Sequence, residues 1–95
     1  MSTVLNAAVE ALNAKLGEGF SGLAKFVISG EGGILVDANG ARASEDPADV
    51  TLTADADTFS AMLGGDLNPT AAFMSGKLTV EGDMGLAMQL GAALS

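Results

Sequence analysis

Between Asn68 and Leu90 the chain reads NPTAAFMSGKLTVEGDMGLAMQL, and the punctuation of this stretch leaves few folds open to it. Asn68-Pro69 is a helix cap followed by proline at the first helical position, opening a short helix through Ser75. Lys77 to Glu81 then alternates, with Leu78 and Val80 on one side and Lys77, Thr79 and Glu81 on the other, as a half-covered strand does. Asp83 caps a last helix. A capped helix, a strand and a second capped helix therefore follow one another almost without connecting loops. Four of the five methionines (Met62, Met74, Met84 and Met88) lie in or just before the stretch. Unbranched, polarizable methionine adapts to irregular apolar shapes, in cores and at binding surfaces alike.

The upstream chain supplies the elements this stretch must pack against. Leu5, Val9, Leu12 and Leu16 recur at helical spacing, with Val4 and Ala8 alongside and Gly17 as a natural stop. Leu23 to Ser29 is apolar on both faces apart from Lys25, as a well-covered strand would be. The glycines at 30, 32 and 33 turn the chain into a second strand, Ile34 to Asp37. Asn39-Gly40 is a two-residue hairpin signal leading into a short third strand, Ala41 to Ser44. A polar loop, Glu45 to Asp49, precedes the cleanly alternating Val50 to Ala54. Asp55 or Asp57 then caps a helix on which Phe59, Met62 and Leu63 share a face, ended by Gly64-Gly65. The two later of these five strands each have one apolar and one wet face, which predicts a mostly antiparallel sheet covered by helices on one side, an α+β two-layer sandwich.

At 95 residues the chain is expected to form one domain spanning 1–95, and 48% hydrophobic residues suffice for a core. Twelve acidic against four basic residues give a net charge of −8, which repels phosphate backbones and anionic headgroups. Nucleic acid is therefore excluded as a partner, and electrostatic docking on membranes is expected to be weak or absent. The first residues contain no basic region and no apolar run reaches membrane-spanning length, so a cytoplasmic protein is expected. Ala93-Leu94-Ser95 is not a peroxisomal address.

Catalytic chemistry has little to work with. The chain has no histidine, cysteine, tyrosine or tryptophan, so its serines lack an activating base and no thiolate metal site exists. Asp55-Ala56-Asp57-Thr58-Phe59 begins like a calcium loop, but Phe59 stands where the third ligand belongs. Neither Gly30 to Gly33 nor Gly76-Lys77 continues into a phosphate-binding motif. No catalytic residue, metal or cofactor is expected, and the carboxylates read as caps and solvated faces.

The last helix carries the functional signal. Leu86, Leu90 and Ala93 form one stripe, Met84, Met88 and Gly91 a second beside it, and only Asp83, Gln89 and the C-terminal serine are polar. Either both stripes are core, with methionine as filler, or one lines an apolar ligand cavity or covers its mouth.

Thr53 to Asp57, the Phe59 region, Asn68-Pro69, Phe73 to Leu78, Gly82 to Met84 and Leu86 to Leu90 together resemble the sterol carrier protein 2 domain family. The upstream helix, the Phe20 to Ser29 strand and the Ile34 to Gly40 hairpin fit as well, so the resemblance covers nearly the whole chain, as a short, acidic, bacterial-type member. It implies a five-stranded sheet under helices, an apolar tunnel between them, and a non-catalytic domain found alone or attached to lipid-metabolising enzymes. It also implies a lipid-like ligand: a fatty acid, fatty acyl-CoA, isoprenoid-like lipid or sterol, with an acyl or isoprenoid chain preferred. By position, Phe59, Met62, Leu63, Phe73, Met74, Met84, Met88 and Gln89 would border the tunnel, Gln89 contacting a headgroup, and Ile34 occupies a strand position that is tryptophan in a relative. The rival expectation is an interaction module whose apolar C-terminal helices form a homodimer or dock on a lipid enzyme.

Overall fold

Residues 3–17 and 19–94 are described by a computed structural model; the C-terminal serine considered above lies outside them, as do Met1, Ser2 and Glu18. The described elements run α1 (Thr3–Leu16), β1 (Ala24–Ile28), β2 (Gly32–Asp37), β3 (Gly40–Ala43), β4 (Val50–Ala54), α2 (Ala56–Leu63), α3 (Pro69–Met74), β5 (Thr79–Gly82) and α4 (Met84–Leu94). The five strands form one sheet in the order β3-β2-β1-β4-β5. Three pairings are antiparallel, and β1 with β4 is parallel. The α+β architecture and mostly antiparallel sheet are thus as the alternation predicts. The single parallel pair depends on where the β3–β4 connection returns, which periodicity does not encode.

Strand period decides which side chains meet the helices. Phe26, Ile34, Val36, Val50 and Leu52 share the covered face, and none is more than 2% exposed. Leu35 alternates with Ile34 and Val36 and so points to the opposite face, yet it is only 4% exposed. The returning segment 44–49 explains this. Glu45 accepts a hydrogen bond from the Gly33 N–H (2.7 Å), Lys25 Nζ donates to the Glu45 carbonyl (3.5 Å), and the Asp49 N–H reaches the Leu23 carbonyl (3.1 Å). A polar loop thereby seals part of the face that carries no helix.

Helix α1 lies over β2 and β3 and buries Leu5, Ala8 and Leu12. Full burial of such a leucine stabilises by about 1.5–3 kcal/mol. The polar side adds an anchor: Asn13 Nδ2 donates to the Ala41 carbonyl (3.0 Å), and Asn13 Oδ1 accepts the Ala41 N–H (2.8 Å). This side-chain amide pairs with the backbone of edge strand β3. The turn into β3 runs through Ala38-Asn39, with the Asn39 N–H donated to Asp37 Oδ1 (2.9 Å). Positive φ falls on Gly40 (+107°) and not on Asn39, so this is not the mirror-image turn that Asn-Gly favours. A β-carbon at Gly40 would also come within 2.5 Å of Asn13 Oδ1.

On the other half, Asp55 caps α2 by accepting the Thr58 N–H (2.7 Å). The helix then presses Phe59 edge-on against Phe26, with ring centroids 5.1 Å apart. Helix α4 lies over β4 and β5 and is held by Leu90 and Leu94. Ala93, placed in the apolar stripe with Leu86 and Leu90 by helical spacing, is exposed, and Leu94 occupies the buried position instead.

Candidate apolar binding site

The caps that start α3 and α4 also create an opening between them. Asn68 Oδ1 accepts the Thr70 N–H (2.7 Å), and Pro69 at the first helical position supplies its fixed φ. At the far end the Lys77 and Leu78 N–H groups both return to the Ala72 carbonyl (2.9 and 3.1 Å), reversing the chain into β5. Asp83 Oδ1 then accepts the Leu86 N–H (3.1 Å) and starts α4. Two short helices thus stand beside the sheet edge with a strand between them in sequence.

An apolar cleft of about 400 Å³ lies between them. Leu52, Leu78 and Val80 form its sheet side, Pro69 and Phe73 its α3 wall, and Met84, Ala87, Met88 and Gly91 its α4 wall. Asn68 and Thr70 are its polar lining residues, and no titratable side chain lines it. Phe73 (45% exposed), Met84 (49%) and Met88 (75%) leave apolar surface in water at its mouth. A second cleft, about 540 Å³, lies between α1 and α2, where Val4, Ala7 and Ala11 face Phe59, Ser60 and Leu63.

The residues read as tunnel-bordering are therefore divided. Phe73, Met84 and Met88 come together at the α3–α4 cleft, and Phe59 and Leu63 at the α1–α2 cleft. Ile34 and Met62 are core, 0% and 1% exposed, and line neither of these clefts. Met74 (81% exposed) and Gln89 face solvent outside both linings. Gly91, in the methionine stripe that helical spacing defines, lines the α3–α4 cleft too, and the sheet-side residues Leu52, Leu78 and Val80 and the small Ala87 complete it without having been marked as ligand-bordering in the sequence. A visible signal existed for Ala87: four residues before Gly91 on the helix, it shapes a shallow groove with that glycine.

Two carboxylates are engaged away from the α3–α4 cleft. Asp55 is held below the usual carboxylate range, chiefly by the Thr58 N–H, which ties it to capping α2 rather than to a calcium loop. Asp37 is likewise lowered, first by its bond to Arg42 (3.0 Å) and then by the Asn39 N–H. Among the described residues no group of three or more potential metal-ligating side chains comes together. No described helix is long and apolar enough to cross a membrane.

Sheet order, the helices on one face and an apolar cleft beside the last helix are accompanied by a family match over residues 4–95, to the model for SCP-2 sterol transfer. The chain belongs to the SCP-2 sterol transfer family. Its relatives include hydroxysteroid dehydrogenase-like protein 2 of Danio rerio, 48% identical over 77 residues covering 73% of this chain and 19% of that protein. Human sterol carrier protein 2 is 41% identical over 64 residues, covering 67% of this chain and 11% of its own length. This SCP-2 family chain thus spans a fifth or less of the curated relatives it matches. The fold is also that of Aedes aegypti sterol carrier protein-2, solved in complex with the C16 fatty acid palmitate, with a TM-score of 0.79 at 22% identity over 100% of this chain and 97% of that one.

Proposed function

We propose that this SCP-2 family chain is a non-catalytic carrier that holds an apolar, lipid-like ligand at the α3–α4 cleft. The carrying observation is the cleft itself: about 400 Å³ of open space with an apolar lining and no titratable group. That volume lies within the roughly 300–1,000 Å³ common for small-molecule sites. Phe73, Met84 and Met88 are the proposed ligand contacts. The family tunnel is proposed to begin here, with Ile34, Phe59, Met62 and Leu63 bordering it further in and Gln89 reaching a headgroup from the rim. A fatty acid, fatty acyl-CoA or isoprenoid-like lipid, or a sterol, is the ligand class. Palmitate in the Aedes aegypti neighbour supports the acyl-chain choice. Burying an acyl chain yields about 0.8 kcal/mol per methylene before ordering costs, so micromolar affinity needs no charged anchor.

Native mass spectrometry of freshly purified protein, followed by organic extraction, tests the proposal. A monomer carrying a discrete lipid-sized mass is the expected result. A uniformly ligand-free protein that also fails to take up an added fatty acid would remove the carrier reading.

A second reading rests on the exposure of Met74, which with Phe73, Met84 and Met88 leaves apolar surface in water. In it, the C-terminal helices dock on a second copy or on a lipid-metabolising enzyme, and the cytoplasm is the proposed compartment. A mass that rises with concentration would favour this second reading.

A further inference from the structure

We infer that Met84 and Met88 form a reversible oxidation site that switches off ligand holding at the α3–α4 cleft. The inference rests on the carrier reading above. With no cysteine, histidine, tyrosine or tryptophan in the chain, its five methionines are the side chains most open to mild oxidants. The fold sorts the described four into distinct situations. Met62 is 1% exposed in the core; Met84 and Met88, 49% and 75% exposed, line the cleft; Met74, 81% exposed, lies outside its lining. A peroxide therefore reaches the cleft thioethers long before the core one.

The chemistry is balanced with hydrogen peroxide as oxidant. The thioether sulfur attacks one peroxide oxygen, the O–O bond breaks, an S–O bond forms and water leaves. Sulfur loses two electrons and the peroxide gains them. Reversal uses a dithiol reductant through the methionine sulfoxide reductases, one for each sulfoxide epimer, returning the oxygen as water. The product replaces a soft apolar wall with a strongly polar S=O group. Asn68 and Thr70, at the start of α3, are the other polar groups of the lining. An acyl chain seated against the oxidised wall would strip water from the S=O oxygens. Met62 is spared at low oxidant, so the core beneath is left intact and the change stays local.

Peroxide titration, peptide mapping by mass spectrometry and binding of the fluorescent fatty acid NBD-stearate test this together. Met74, Met84 and Met88 should each gain one oxygen before Met62, with helix content by circular dichroism unchanged. Affinity for NBD-stearate should fall about tenfold or more and return on treatment with both reductases and dithiothreitol. Each variant is referred to its own untreated affinity: Met74→Leu should lose binding as the parent does, and Met84→Leu/Met88→Leu should resist peroxide. Full oxidation at 84 and 88 with unchanged affinity would overturn the inference, as would equal loss in the double variant. So would loss that appears only as Met62 oxidises and helix content falls. Failure of the untreated protein to bind any fatty acid is a different result: it overturns the carrier reading, and this inference with it.

Discussion

Helices α1 and α4 do the same architectural job at opposite ends of the sheet, one over β2 and β3 and the other over β4 and β5, but they do it to different degrees. Helix α1 buries Leu5, Ala8 and Leu12 and is bonded to the edge strand through Asn13. Helix α4 buries Leu90 and Leu94, while Met84 and Met88 stay in water beside a cleft. A closed contact contributes to stability; an apolar contact left half-made has affinity to spare for something else. The difference separates the structural end of the molecule from the end proposed to bind.

Core truncation should break the symmetry between the helices most visibly. Leu12→Ala is expected to cost about 2–5 kcal/mol in urea unfolding, against about 0.5 kcal/mol or less for Met88→Ala. Equal costs would mean that Met88 is core after all. Next in size is Asn13→Ala, which leaves the Ala41 N–H and carbonyl without their partner; a loss of about 1–3 kcal/mol is expected in the same assay. Should Asn13→Ala unfold as the parent does, the clamp contributes nothing.

Met88→Glu sharpens the comparison from the other side. Affinity for NBD-stearate should drop at least about tenfold, with helix content and urea midpoint nearly constant. Parallel loss of binding and helix content would assign Met88 to packing. The smallest effect concerns the Asp55 cap. Its folded carboxyl is held below the ordinary value of 3.8, so its contribution is complete above that value and is lost as pH falls through the lowered one. The stability difference between the parent and Asp55→Asn, measured by thermal melts, should therefore shrink on acidification and stay level near neutrality. A difference that grows with acid would have the wrong sign for a capping carboxylate.

Local order was largely legible in the sequence because its causes are local. The caps at Asp55, Asn68 and Asp83, proline at 69 and the two-residue alternation of Val50 to Ala54 each act within a few residues, and the elements begin and end where these signals stand. The family was legible in the same ordered set. What remained open was decided at a distance. Two apolar residues of one helix, Leu90 and Met88, differ in burial because Leu90 packs into the core while Met88 borders the open cleft. Asn13 reads as a solvated polar residue until Ala41, 28 positions away, is brought beneath it. Phe59 and Phe73 share an apolar pattern yet line separate clefts. Propensity, caps and period determined the elements and the face each must bury. The parallel β1–β4 pair, the Asn13 clamp and the half-covered methionine stripe came only with tertiary structure, because burial is set by which surfaces the sheet order brings together and how far they cover one another.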